Sequence, residues 1–248
     1  SLLFGGGLAA GVGGLLLLFA PQVLRVLFGG ADQEVLEWAA VYVRVIALAL
    51  VPQFILIVVN GILRGSGDTR TPMYIMALVN ATNVVLNYIL IFGVGPFPRL
   101  GITGAAIATA VAHVVGGVTA LSILLSSRKG IKLDLRKSLR LDLASLRRVL
   151  NIGIPAGLEQ VMMQTAQIAY TMIVSSLGTV AYAAHRVALN AESLSFMPGF
   201  GFALAATTFV GQGLGARDPA LAERSGREAA RMAISVMSTM GIIFFLFP

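Results

Sequence analysis

The stretch MYIMALVNATNVVLNYILIFGV, Met73–Val94, runs for 22 residues without an Asp, Glu, Lys or Arg. Wound as a helix rising about 1.5 Å per residue, it covers the ~30 Å hydrocarbon core of a bilayer. Six more apolar stretches flank it, roughly Leu2–Ala20, Val35–Ile62, Ile102–Leu125, Ile152–Leu177, Val180–Val210 and Met232–Phe247, and charge is nearly absent from them. Composition agrees: 57% of residues are hydrophobic and 12% charged, where a soluble domain is about a quarter charged. The expected fold is all-α, a polytopic transmembrane helical bundle. The first stretch has no basic leader and no small-residue cleavage site, so it does not read as a signal peptide. The chain opens on Ser1 rather than Met and stops within an apolar run at Pro248, which reads as a fragment of a longer protein.

A net charge of +7 invites a nucleic-acid reading, but its placement excludes one. Eight of the 18 basic residues lie between Arg128 and Arg148, Arg64 and Arg70 lie in a second loop, and Arg217, Arg224, Arg227 and Arg231 lie around a third. These loops follow alternate spans and share one side of the membrane. The opposite side holds Arg25 and Arg99, so the positive-inside rule places the three basic loops in the cytoplasm. With no Cys there is no thiolate chemistry, and His113 and His185 are too few and too far apart for a metal cluster. His113 reads as a packing or hydrogen-bonding residue, and Arg44 as a side chain that snorkels or pairs with a neighbour.

The segment 128–148 divides the chain into 1–127, with four spans, and 149–248, with three. Leu139, Leu143, Leu146 and Leu150 recur at helical spacing beside Arg136, Arg140 and Arg147. Either a helix lies on the inner headgroup surface there or the segment is a solvated linker. Thr71-Pro72 predicts an N-cap followed by Pro in the first turn, and Asn151–Pro155 the opening of the fifth span. Pro198-Gly199 predicts a kink or local break in the sixth.

Four stretches carry a family resemblance. LRGSGDTRTPM (Leu63–Met73), LGITGAAIAT (Leu100–Thr109), GIPAGL (Gly153–Leu158), and the run from Ala184-His185-Arg186 through Phe196-Met197-Pro198-Gly199 to VGQGLGA (Val210–Ala216) are in order along the chain. Together they resemble the MATE (multidrug and toxic compound extrusion) transporters. The resemblance implies twelve helices in two pseudo-symmetric lobes, of which this chain would hold the third to the ninth, both lobes incomplete. The runs ending in Pro21 and Pro248, LLLLFAP and IFFLFP, would then be repeat mates.

Polar side chains inside apolar stretches are costly unless paired, so they mark either interhelical staples or a site. Asn80, Asn83 and Asn87 share one helical face. By resemblance, Tyr42, Asn60, Asn83 and Thr109 match positions that form a cation or proton site in the N-terminal lobe, and Asn87 matches a position that is often Asp. The resemblance puts the key carboxylate of that lobe on the family's first helix, outside these residues. In 149–248, Glu159 and Glu192 are the acidic residues far from a span end, and they are candidate coupling carboxylates because burial disfavours the charged form. Many relatives carry the seventh-helix acid farther past the proline than Glu159 lies from Pro155. Gln160, Gln164, Gln167 and Thr171 form a polar stripe that should line a cavity, and Met197 would offer it an adaptable apolar surface.

The implied function is export of organic, cationic or amphiphilic compounds by alternating access, driven by Na⁺ or H⁺. It needs no cofactor beyond that ion. Its partners would be small organic substrates and membrane lipid, with no nucleic acid, and the full-length protein would be a monomer in the plasma membrane of a prokaryote. A flippase for lipid-linked oligosaccharide precursors is the alternative within the superfamily. No HExxH pair, Ser/His dyad or catalytically spaced Asp pair points to an enzyme.

Overall fold

The computed structural model describes residues 2–27, 32–95, 98–126 and 143–246. Every regular element among them is a helix: α1 (Leu2–Leu27), α2 (Gln33–Leu48), α3 (Leu50–Gly65), α4 (Arg70–Phe92), α5 (Gly101–Leu125), α6 (Leu143–Ser176), α7 (Thr179–Gly215) and α8 (Pro219–Leu246). Two compact units result, Ser1–Leu141 and Asp142–Pro248. Five helices, α1, α4, α5, α7 and α8, are long and apolar enough to cross a membrane. The pair α2 and α3, bent by 51° at its break, is long and apolar enough when taken together to be a sixth. α6 is long enough but not apolar enough, because Glu159, Gln160, Gln164 and Gln167 dilute its middle.

The break in the Val35–Ile62 stretch falls at Ala49. Pro52 has no N–H to return to the Leu48 carbonyl, so the hydrogen-bond ladder lapses there. The Ala49 N–H turns back to the Ile46 carbonyl (2.9 Å), and the Gln53 N–H restarts the ladder on the Ala49 carbonyl (2.9 Å). By contrast, α7 runs unbroken through Pro198 from Thr179 to Gly215, so the expected local break is absent.

Three other expectations are corrected. α4 starts at Arg70, ahead of Thr71-Pro72, with Thr69 at the N-cap, and the Asp68 carboxylate just before it accepts the Thr71 N–H (3.0 Å) and the Thr71 hydroxyl (2.7 Å). α6 starts at Leu143 and carries Pro155 inside it, so Asn151–Pro155 opens nothing, and Leu143–Leu150 belong to this helix rather than to a separate interfacial one. Leu139 and the rest of 128–142 lie outside the described residues. The third basic loop is mostly helix: Arg224, Arg227 and Arg231 sit on α8, with Arg227 paired to Glu223 and Arg231 to Glu228.

In lipid, apolar side chains gain little by leaving the solvent, so helices associate through close packing at small residues. α5 shows this in the first unit. Gly104, Ala108, Ala112, Gly116, Ala120 and Leu124 recur every fourth residue, and all are buried. Of these, Ala112, Ala120 and Leu124 share one core with Leu56, Val59 and Leu63 of α3 and Ile75 and Val79 of α4, and Gly116 lies against Leu56 and Val79. The approach is so close that a Cβ on Gly104 would lie 2.6 Å from the Leu90 carbonyl oxygen, and one on Gly117 2.6 Å from that of Pro52. α4 and α5 run antiparallel and are pinned at their turn by the Leu100 N–H on the Leu90 carbonyl (2.9 Å).

In the second unit, α7 packs on α8 at Gly199 against Met237 and at Gly213 against the Ala222 backbone. α6 meets α7 through the edge-on rings of Tyr170 and His185, with centroids 5.1 Å apart. Residues Asn151–Tyr170 are exposed throughout, uncovered by the chain itself.

The α3–α4 and α7–α8 turns match bond for bond. Ser66, Gly67 and Asp68 N–H groups bond to Ile62, Arg64 and Leu63 carbonyls; Ala216, Arg217 and Asp218 bond to Gln212, Leu214 and Gly213. Each turn has one left-handed residue, Gly67 (φ 89) or Arg217 (φ 58). Each ends on an Asp whose Oδ1 accepts the N–H three residues on, at 3.0 Å.

Candidate functional site

Asn83 and Asn87 sit one turn apart on α4, and Thr109 on α5 faces them. The antiparallel register brings them together, because Leu90 against Gly104 and Val79 against Gly116 set a close approach on either side. The Asn87 Nδ2 donates to the Asn83 Oδ1 (2.9 Å), the Asn83 Nδ2 donates to the Thr109 Oγ1 (3.2 Å), and the Thr109 hydroxyl donates to the Ala105 carbonyl (2.9 Å). All the bonds of this relay point one way. It starts at Asn87, whose own Oδ1 is enclosed and has no hydrogen-bond partner among the described residues.

A second orphaned oxygen lies in the same unit. Asn60, on α3 between core residues Val59 and Leu63, is 4% exposed, and its Oδ1 also lacks a partner. A buried amide carbonyl without a donor costs about 1–3 kcal/mol. Two such oxygens in one unit make a strained place unless something electropositive reaches them. Carbonyl oxygens of this kind are the ligands that replace water around Na⁺ or K⁺, and they equally accept from a protonated group.

Of the five N-lobe candidates, the structure joins Asn83, Asn87 and Thr109. Asn60 is buried but forms no hydrogen bond to them, and Tyr42 on α2 is exposed and makes none with the described residues. Asn80 is exposed on α4. The His113 Nδ1 on α5 is enclosed and has no hydrogen-bond partner among the described residues. In the second unit, Glu159, Gln160, Gln164 and Gln167 on α6 and Glu192 and Met197 on α7 are all exposed, and Thr171 is half-buried with its hydroxyl on the Gln167 carbonyl. The unit's own helices therefore enclose no cavity around these side chains. No group of three or more His, Asp or Glu able to hold a metal ion occurs among the described residues.

Sequence reading missed two features. The α5 stripe was open to inspection as small residues at every fourth position. A cavity of about 220 Å³ between α1 and α2 was not, since it joins Arg25 and Arg44 from different helices.

The family model described as MatE matches residues 1–89 and 155–248. The chain is 36% identical over 246 residues to the probable multidrug resistance protein NorM of Thermotoga maritima, covering 97% of this chain and 52% of that protein. It is 29% identical to the probable multidrug resistance protein YoeA of Bacillus subtilis, covering 81% and 43%. Among solved structures, the outward-facing conformation of a multidrug resistance MATE family transporter of the MOP superfamily superposes with a TM-score of 0.89 at 25% identity, over 99% of this chain and 53% of that one. The chain thus spans about half the length of the curated relatives it matches. The matched model covers both units, the helices suit a bilayer, and the chain belongs to the MATE family of transporters.

Proposed function

We propose that the protein is a cation-coupled antiporter that exports organic, cationic or amphiphilic compounds across a prokaryotic plasma membrane by alternating access, with Na⁺ or H⁺ as the driving ion. It uses no other cofactor, performs no enzymatic step and works as a monomer. The observation that carries this reading is the one-way relay from Asn87 through Asn83 to Thr109. Its bonds run one way along the side chains and leave the enclosed Asn87 carbonyl oxygen without a donor, an arrangement that suits a cation or a proton donor.

Coupling requires that ion and drug differ in affinity between the two facing states. The relay is neutral, so a carboxyl must supply the counter-charge for a bound cation; by resemblance it comes from the family's first helix in the N-terminal lobe. Glu159 and Glu192 would serve the C-terminal lobe, with Gln160, Gln164, Gln167 and Met197 lining the drug path. The flippase alternative is less well supported, since an anionic pyrophosphate lipid calls for basic groups where these sites are neutral or acidic.

The test is the intact protein in proteoliposomes. Imposed Na⁺ or H⁺ gradients should drive efflux of a cationic dye, and collapsing the gradient should stop it. Dye movement indifferent to both gradients, or flipping of a pyrophosphate lipid without dye transport, would overturn the proposal.

A further inference from the structure

The cavity between α1 and α2 is lined by Pro21 and Arg25 from α1 and by Gln33, Leu36, Glu37, Ala40, Val41 and Arg44 from α2. Pro21 and Arg25 are one turn apart. The α2 residues recur at three- and four-residue steps over three turns, so each helix gives one continuous face to the cavity. Arg44 lies about 16 Å along α2 from Gln33 at ~1.5 Å per residue, yet both reach the same space. An arginine that deep turns its long side chain toward the headgroups when it can. Neither Arg25 nor Arg44 forms an ion pair with a described residue, although Glu37 lines the same cavity. Gln33 adds one neutral polar group, and the other walls, Pro21, Leu36, Ala40 and Val41, are apolar. Trp38, next to Glu37, is the chain's one tryptophan and is 45% exposed, as suits a residue at headgroup depth.

We propose that this groove binds the headgroup of a zwitterionic aminophospholipid. The phosphodiester sits on the guanidinium groups of Arg25 and Arg44, the primary ammonium on Glu37, and the first acyl carbons against Leu36, Ala40 and Val41. Two guanidinium forks match phosphate oxygens in charge and geometry. The carboxylate in the same cavity turns a general anion site into one that discriminates, since it repels a purely anionic headgroup and receives an ammonium. The apolar walls favour a lipid over free phosphate. This site lies at the end of the first unit remote from the Arg64–Arg70 turn and shares no residue with the relay. It stands independently of the transport reading.

Native mass spectrometry of the delipidated intact protein tests it, with phosphatidylethanolamine, phosphatidylglycerol and inorganic phosphate as probes. Wild type should retain phosphatidylethanolamine at least about five-fold more tightly than phosphatidylglycerol, and millimolar phosphate should not displace it. Arg25→Gln and Arg44→Gln should each weaken that binding about five-fold, the contribution of one basic group near a lipid surface. Glu37→Gln should erase the preference between the two lipids while keeping binding. Equal affinity of wild type for both lipids, or displacement by phosphate, overturns the proposal without any variant having to fold. Arginine variants that bind as wild type overturn it as well.

Discussion

Replacing Asn83 by Ala tests the relay at its centre. Asn83 is both the donor to Thr109 and the acceptor for the Asn87 amide. Thr109 keeps its bond to the Ala105 carbonyl, so little is lost there. Asn87 loses its one partner in the relay and becomes a half-buried amide with neither oxygen nor nitrogen bonded among the described residues. Leaving such a group unpaired costs about 1–3 kcal/mol, and the second lost bond adds about 1 kcal/mol, for a destabilisation of roughly 2–4 kcal/mol. Tyr42→Phe removes a hydroxyl that bonds to no described residue, so it should cost under about 0.5 kcal/mol. The assay is thermal melting of detergent-solubilised protein with and without Na⁺, paired with gradient-driven efflux. A bound ion at ten times its Kd adds about 1.4 kcal/mol to the wild type. Asn83→Ala should melt lower, lose the Na⁺ increment and export slowly under a limiting gradient, yet still insert. If it inserts, keeps its Na⁺ increment and exports at the wild-type rate, the relay is an interhelical staple and the site reasoning fails.

Two further outcomes follow from the packing and the carboxylates. Gly117→Ala puts a methyl 2.6 Å from the Pro52 carbonyl oxygen, which is backbone and cannot swing aside, so the protein should lose about 1–3 kcal/mol in melting experiments; an unchanged melting temperature would show that α3 and α5 are not held at this distance. Glu159→Gln and Glu192→Gln keep shape and hydrogen bonding but fix the neutral form, and one of them should lose the pH- or Na⁺-dependence of efflux while still binding dye; two variants with wild-type coupling would make these glutamates structural.

The spans were legible because excluding charge from hydrocarbon acts on composition, which a sequence displays directly. Helix interruptions were not, because a proline removes one ladder bond wherever it falls, while whether the chain then breaks depends on what packs around it. At Pro52 the backbone is pressed against Gly117 of α5, and the chain bends; at Pro198 the adjacent Gly199 lets Met237 of α8 close in, and the helix stays continuous. The same contrast governs the site. Asn83 and Asn87 share a face by simple periodicity, so their pairing could be read. Tyr42 and Asn60 lie on opposite sides of the 51° bend, where no single helical period relates one to the other. Their absence from the relay follows from tertiary geometry that the residues alone do not encode.

The matched turns at Asp68 and Asp218 set folding against insertion. At the first, glycine takes the left-handed position without strain; at the second, Arg217 takes it at a cost of about 1–2 kcal/mol. Gly at 217 would relax the corner but remove one of the cations that the positive-inside rule expects on the cytosolic side. Arg217→Gly should therefore melt higher while a glycosylation tag beside it counts more inverted molecules. If the melting and tagging results diverge in this way, one fold motif serves conformational ease at its first corner and membrane orientation at its second.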